Sequence, residues 1–242
     1  MMIRLRDLIL SLLALLISSP ILLIVCFLVW KQDRHSPFYI AERVGRNGET
    51  FSMVKLRSMI INADSSGVDS TSSEDNRITA IGHFIRKYKL DELTQMWNVL
   101  LGDMSLVGPR PNVKRETDLY SDLERVLLTV RPGITDFSSI IFSDEGEILS
   151  DKADPDLAYN QLIRPWKSRL GLLYIKNRNF YIDLKILVIT TIAIINRRKA
   201  IKLINSILKE IECSPRLLSV SSREEELYAY PPPGHDKVVH HR

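Results

Sequence analysis

Between Leu8 and Trp30 the chain carries no charged side chain for 23 residues, and this run limits what it can fold into more than any other feature. As one helix it would be about 35 Å long, enough to match a hydrocarbon core of about 30 Å. It is too long for the apolar part of a signal peptide, and no small-x-small cleavage site follows it. Ser18-Ser19-Pro20 falls in its middle. Proline removes a backbone donor and clashes with the preceding turn, so a kink or a break is expected, with each half reaching only about 15–18 Å. Arg4 and Arg6 precede the run, and Lys31 and Arg34 follow it. Positive residues mark the cytoplasmic side, and here both ends carry them. Two readings stay open: a helix that enters, turns at Ser19-Pro20 and leaves on the same face, or a kinked single span, since prolines do occur in spanning helices.

The remainder is not membrane-like. Mean hydropathy is −0.02, which excludes a polytopic membrane protein. With 45% hydrophobic and 26% charged residues, disorder as the main state is also excluded. The net charge of +4 suits an anionic partner: a membrane surface, a nucleic acid or a phosphate-bearing substrate. Cys26 lies in the apolar run and Cys213 in a polar stretch, so no disulfide is expected and a reducing setting is the default. No zinc-ligand spacing occurs, and the His240-His241 pair reads as solvated.

Along the chain, Asn47-Gly48 between two alternating runs signals a β-hairpin. Asn62 to Asn76 reads as a loop. Ile81, Phe84, Ile85 and Tyr88, then Leu93, Trp97, Leu100 and Leu101, recur at helical spacing. Gly108-Pro109-Arg110-Pro111 marks a rigid turn, and a helix is expected over Lys114–Val130, ended by Arg131-Pro132-Gly133. Leu157 to Ala200 mixes apolar, aromatic and basic residues, which suits either an interfacial helix or a buried core helix. The expected architecture is α+β but mainly α. Residues 1–34 would form the membrane helix, 35–198 a compact cytoplasmic domain with a small β-hairpin and interfacial amphipathic helices, and 199–242 a polar, flexible tail.

Three features could carry chemistry. Asp91-Glu92 follows Arg86-Lys87-Tyr88-Lys89-Leu90 at an expected helix start. If Asp91 stands outside helical geometry, the two carboxylates can face one site, one attacking phosphorus and the other holding a divalent cation. The alternative is that Asp91 is only an N-cap and Glu92 a favourable first-turn acid. The second feature is a set of cations beside turns, Lys55, Arg57, Arg86, Arg110 and Arg131, which could clamp phosphate oxygens or be ordinary surface charge. The third is Gly102 to Pro111, where two prolines stiffen the backbone around Arg110.

The order of these motifs resembles the bacterial sugar transferases, the monotopic polyprenyl-phosphate phosphoglycosyl transferases. The resemblance runs from the Ser-Pro break through Val54-Lys55-Leu56-Arg57-Ser58-Met59, Leu90-Asp91-Glu92-Leu93, Gly102–Pro111 and Val130-Arg131-Pro132-Gly133-Ile134-Thr135. It continues through Tyr174-Ile175-Lys176-Asn177-Arg178 and Asp183-Leu184-Lys185-Ile186. It implies transfer of a sugar 1-phosphate from a UDP-sugar to undecaprenyl phosphate, with release of UMP, at the start of O-antigen, capsule or exopolysaccharide synthesis. It implies Asp91 as nucleophile, Glu92 as ligand of Mg²⁺, and Arg86 and Arg110 on phosphates with Lys55 and Arg57 nearby; Arg131 stays a phosphate candidate from its place beside a turn. Ser19-Pro20 would be the break of a re-entrant helix in the inner membrane, with the active site on the cytoplasmic face. A second copy of the chain or other glycan-assembly enzymes are candidate partners, and nucleic acid is not expected.

Three positions depart from the family pattern. Thr94 stands where proline is common after Leu-Asp-Glu-Leu, and Val44 where proline is common between Arg43 and Gly45. Asp136-Phe137-Ser138-Ser139 replaces a Gly-led stretch, so sugar-selecting contacts would differ there. The rival reading is a non-catalytic membrane-anchored scaffold of a glycan-assembly complex. The intact dyad with Arg86 and Arg110 argues against it.

Overall fold

The computed structural model describes residues 2–63 and 75–240. Most of the loop expected over Asn62–Asn76 lies outside the described residues, as does His241. The apolar run forms α1 (Met2–Asp33), and Pro20 lies inside it. Of the two expected outcomes at Pro20, a kink or a break, the break is absent: one helix runs through it. The reason is local: Pro20 cannot donate to the Leu16 carbonyl, and the Ser19 hydroxyl supplies that bond instead at 2.8 Å.

Both ends of α1 dock on the rest of the protein, while most of the residues from Leu12 to Ile24 are exposed. Near its start, Arg6 and Asp7 are buried. Arg6 Nη1 donates to Asp183 Oδ2 at 2.9 Å, Tyr174 Oη donates to Asp183 Oδ1 at 2.7 Å, and Ser105 Oγ donates to Asp7. Toward its end, Val25 and Val29 pack with Leu56, Ile85 and Leu90, and Asp33 accepts both terminal nitrogens of Arg57. Asp183 is fully buried, so removing it takes one of two carboxylates from the buried Arg6 guanidinium, leaving Asp7, and the closer of two acceptors from Tyr174 Oη. Asp183→Ala should therefore cost about 2–3 kcal/mol in denaturant unfolding, the scale of a lost hydrogen bond to a charged group. A loss under about 1 kcal/mol would mean that the pair does not carry this docking.

The expected hairpin is present: β1 (Phe38–Val44) pairs antiparallel with β2 (Thr50–Leu56), in register Ile40 with Val54. Asn47 (φ 60°) and Gly48 (φ 81°) take the left-handed conformations of the turn. Next come α2 (Ala80–Lys87), α3 (Leu90–Leu93) and α4 (Met96–Leu101). Then β3 (Ser105–Val107) pairs parallel with β4 (Gly133–Thr135), a contact that nothing in the residue pattern announced.

The single helix expected over Lys114–Val130 is instead α5 (Lys114–Thr117), α6 (Asp122–Arg125) and a 3-10 turn. Ser121 interrupts it because its hydroxyl caps α6, with Glu124 reaching back to the Ser121 amide. Short helices α7 (Phe137–Ile141), α8 (Glu145–Ile148) and α9 (Pro155–Ala158) lead to α10 (Arg164–Asn177) and α11 (Phe180–Ile195). Asp136, one of the departures from the family pattern, caps α7 by accepting from the Ser139 amide at 2.7 Å.

The helix α10 is core, with Trp166, Leu170 and Tyr174 all within 1% of full burial. In α11 one face buries Ile182, Ile186 and Ile189, while Leu184, Val188, Ile194 and Ile195 on the outer face stay exposed. The stretch read as a flexible tail is not one. It forms α12 (Arg197–Glu210) and α13 (Pro215–Ser222), which bury Ala200, Ile204, Ile207, Leu208, Leu217 and Val220 in the main core. Further on, Tyr230 stacks on Trp166, and the Pro231 and Pro233 carbonyls accept from Arg169 and Ser121.

Candidate active site

The helix α2 is pressed against the strand region. A Cβ on Gly82 would lie 1.8 Å from the Ser58 carbonyl oxygen, so only glycine fits. This approach lets Arg86 Nε donate to Ser58 Oγ at 2.9 Å, with Asp91 the foremost of its countercharges. After α2 the chain reverses through Lys89, whose φ is 56°.

Lys89, not Asp91, is therefore the N-cap of α3, and Asp91 lies within the first turn. The N-cap reading of Asp91 is corrected on that point. Asp91 and Glu92 share Lys55, Lys89 and Arg110 as charged neighbours, so the two carboxylates face one site. Thr94 and Asn98 fix that turn to β2: Thr94 Oγ1 donates to the Val54 carbonyl at 3.1 Å, and Asn98 Oδ1 accepts from the Val54 amide at 3.0 Å. Asn98 Nδ2 also donates to the Ser52 carbonyl at 2.7 Å. These bonds set Lys55, the next residue on β2, against the dyad. A proline at 94 could not make the first of them. Sequence reasoning noted Thr94 only as a departure from the family pattern and did not single out Asn98. The available signal was Thr94, Gln95 and Asn98 as polar residues between the apolar Leu93 and Val99.

Arg110 reaches the dyad from the other side, its Nη1 lying 3.3 Å from Glu92 Oε1. Its backbone is held by more than the flanking prolines. The Gly108 amide donates to the Thr135 carbonyl at 3.0 Å and the Gly133 amide to the Pro109 carbonyl at 2.9 Å. That closeness demands glycine, since a Cβ on Gly133 would meet Gly108 N at 2.0 Å.

The electrostatics differ between the two acids. Burial, with the like charge of Glu92, raises Asp91 above the usual carboxylate range against the pull of Lys55, Lys89 and Arg110. Burial also pushes Glu92 upward, but Arg110, Lys89 and Lys55 outweigh it and hold Glu92 low. Lys55 is pushed down to about 8 by burial, with Arg110 adding to the effect and the two carboxylates opposing it. Asp91 Oδ1 is buried and has no hydrogen-bond partner among the described residues. A buried, unpartnered carboxylate oxygen facing cations is suited to meet an incoming group.

The structure thus brings Asp91, Glu92, Lys55, Arg86 and Arg110 together. It does not bring Arg57 or Arg131 to them. Arg57 is committed to Asp33 and to the Ser36 carbonyl at 2.8 Å, and Arg131 Nε donates to the Gly102 carbonyl at 2.7 Å. Ser19 and Pro20 are in the middle of α1, away from this cluster in the chain and exposed.

A carboxylate pair set among three cations has the charge arrangement that suits a phosphate-bearing ligand. The chain belongs to the bacterial sugar transferase family, whose pattern matches residues 1–197. Among its relatives, the undecaprenyl-phosphate galactose phosphotransferase of Salmonella typhimurium is 33% identical over 209 residues, covering 80% of this chain and 40% of that protein. The UDP-glucose:undecaprenyl-phosphate glucose-1-phosphate transferase of Klebsiella pneumoniae is 34% identical over 191 residues, covering 77% of this chain and 38% of that protein. The exopolysaccharide production protein ExoY of Sinorhizobium fredii is 38% identical over 144 residues, covering 53% of this chain and 64% of that protein. The chain therefore spans about two fifths of the length of the first two.

Proposed function

We propose that this protein transfers a sugar 1-phosphate from a UDP-sugar to undecaprenyl phosphate, giving undecaprenyl-diphospho-sugar and UMP, as the first membrane step of a surface glycan. The observation that carries this reading is the unpartnered Asp91 carboxylate oxygen among Lys55, Arg86 and Arg110, with Glu92 beside it. Relatives named for this type of transfer support it.

In the proposed reaction an Asp91 oxygen attacks the sugar-bearing phosphorus of the donor. A new P–O bond forms, the bond to the UMP oxygen breaks, and UMP leaves with that electron pair. An oxygen of the lipid phosphate then attacks the same phosphorus, and the Asp91 carboxylate departs unchanged. Arg86, Arg110 and Lys55 stabilise negative charge that develops on the phosphoryl oxygens. The donor set fits Mg²⁺, which takes one or two carboxylates and fills its remaining positions with phosphate oxygens and water. Glu92 would hold it, and when bound it would offset the charge of two adjacent phosphates. The scaffold alternative has no observation in its favour. Incubating the full chain in membranes with undecaprenyl phosphate and a panel of UDP-sugars should release UMP with one or a few donors. Release with none would remove the reading.

Lys55 supplies a pH signature. It is cationic below about 8 and loses its proton above, so turnover should fall as pH rises through that value. Lys55→Arg, which stays charged, should shift that limb upward. A limb that stays in place would belong to another group.

The proposal places α1 as a re-entrant helix in the inner membrane with the site on the cytoplasmic face. Its support is that residues 4–7 and 25–33 both dock on one globular unit, while the apolar middle around Ser19-Pro20 is exposed. A helix whose ends touch the same soluble body is poorly placed to put them on opposite sides of a bilayer. Cysteines introduced near Arg4 and near Arg34 should both resist labelling from the periplasmic side. Labelling at one end would restore the single span.

A further inference from the structure

Beyond the C-terminal end of α4, a cavity of about 530 Å³ opens beside the start of α1. Four guanidinium-bearing residues from four separate parts of the chain line it: Arg4, Arg46, Arg131 and Arg178. Three are held only by backbone carbonyls. Arg4 donates to Val99 and, at 2.8 Å, to Leu100; Arg46 donates to Thr129 at 3.2 Å; Arg131 donates to Gly102 at 2.7 Å. Among the described residues none of the four forms an ion pair with a carboxylate. The one acid in the wall, Asp7, is already taken by Arg6 and Ser105. Arg4 and Arg131 also serve as caps for the end of α4, which accounts for two of the cations. It does not account for Arg46 and Arg178 converging on the same space.

We propose that this cavity binds the phosphate of an anionic phospholipid headgroup. A cluster of like charges without counter-ions is costly to hold together, and a phosphate oxygen set accepts several guanidinium donors at once. The volume falls in the range of small-molecule sites. A lipid is favoured over a free anion because Met2, Ile3 and Phe180 form the rest of the wall. Next to them Leu5 and Tyr181 stand 59% and 76% exposed. Soluble phosphate gains nothing from that apolar rim, whereas a glycerol backbone and acyl chain would. The inference rests on the proposed membrane placement of α1.

The test is native mass spectrometry of the full chain released from membranes of phosphatidylcholine mixed with phosphatidylglycerol. Wild type should retain phosphatidylglycerol and not phosphatidylcholine. Arg46→Gln with Arg178→Gln should lower that occupancy by at least about tenfold, the loss of two charged hydrogen-bond donors. Both changes should be tolerated in folding, since Arg46 is exposed with a single long bond and Arg178 has none described; circular dichroism checks this. A protein that enters the membrane but retains no phosphatidylglycerol, or retains it equally in the double variant, overturns the site. Displacement of the lipid by inorganic phosphate overturns the choice of lipid over free anion. A chain that does not associate with membranes at all fails the membrane placement first, which separates the two claims.

Discussion

Asp91→Asn should fold, enter the membrane and lose turnover by several orders of magnitude. The substitution keeps the shape of the side chain while removing the proposed nucleophile. It breaks no capping bond, because Lys89 is the residue at the N-cap and Asp91 Oδ1 has no partner among the described residues. Burial holds the Asp91 pKa above its unfolded value, so ionised Asp91 costs the folded chain stability once pH exceeds that unfolded value. Asparagine removes that cost, and the melting temperature at neutral pH should be equal or higher. Intact mass measurement of wild type with donor alone should show a sugar-phosphate adduct that Asp91→Asn lacks. An active asparagine variant, or an adduct on another residue, would dispose of the two-displacement mechanism.

Turnover should stop in excess chelator, and Glu92→Gln should lose activity together with its response to Mg²⁺. Two phosphates and an anionic nucleophile repel one another, and fixed cations alone have to share their charge with Glu92. With Glu92 as the proposed direct ligand, the Mg²⁺ needed for half-activity should rise by more than the ~10–100-fold typical of losing an outer partner. There is a competing role for Glu92, that of orienting Arg110 through their 3.3 Å contact. In that case the Mg²⁺ requirement would stay the same, and the damage would appear in donor KM. Full activity in chelator would remove the metal from the proposal.

Much of this site could be read from residue order, and its geometry could not. The dyad and Arg86, Arg110 and Lys55 stand in short, distinctive stretches, and Asn47-Gly48 gave the hairpin because its backbone demand is specific. The position of the α3 cap was hidden, because a lysine with positive φ leaves no mark in the residue pattern. The role of Arg57 was misjudged for a related reason: its partner Asp33 is far away in sequence at the end of α1. Parallel pairing of two three-residue strands is set by the glycine contact of 108 with 133, not by local pattern. The residues after Arg197 are different, since their signal was present. Ala200, Ile204, Ile207 and Leu208 recur at helical spacing, but the lysines and arginines between them give a polar composition that conceals the stripe.

That stripe bears on where the protein begins to be a protein. The family pattern stops at residue 197, while the interior formed by Phe137, Leu149, Ile163 and Ile186 extends into α12 and α13. Inheritance and cohesion thus draw different borders on the same chain. The candidate site lies wholly on one side, and part of the core it is built on lies on the other. Within this chain the residues after 197 supply apolar volume to that interior through Ala200, Ile204, Ile207, Leu208, Leu217 and Val220.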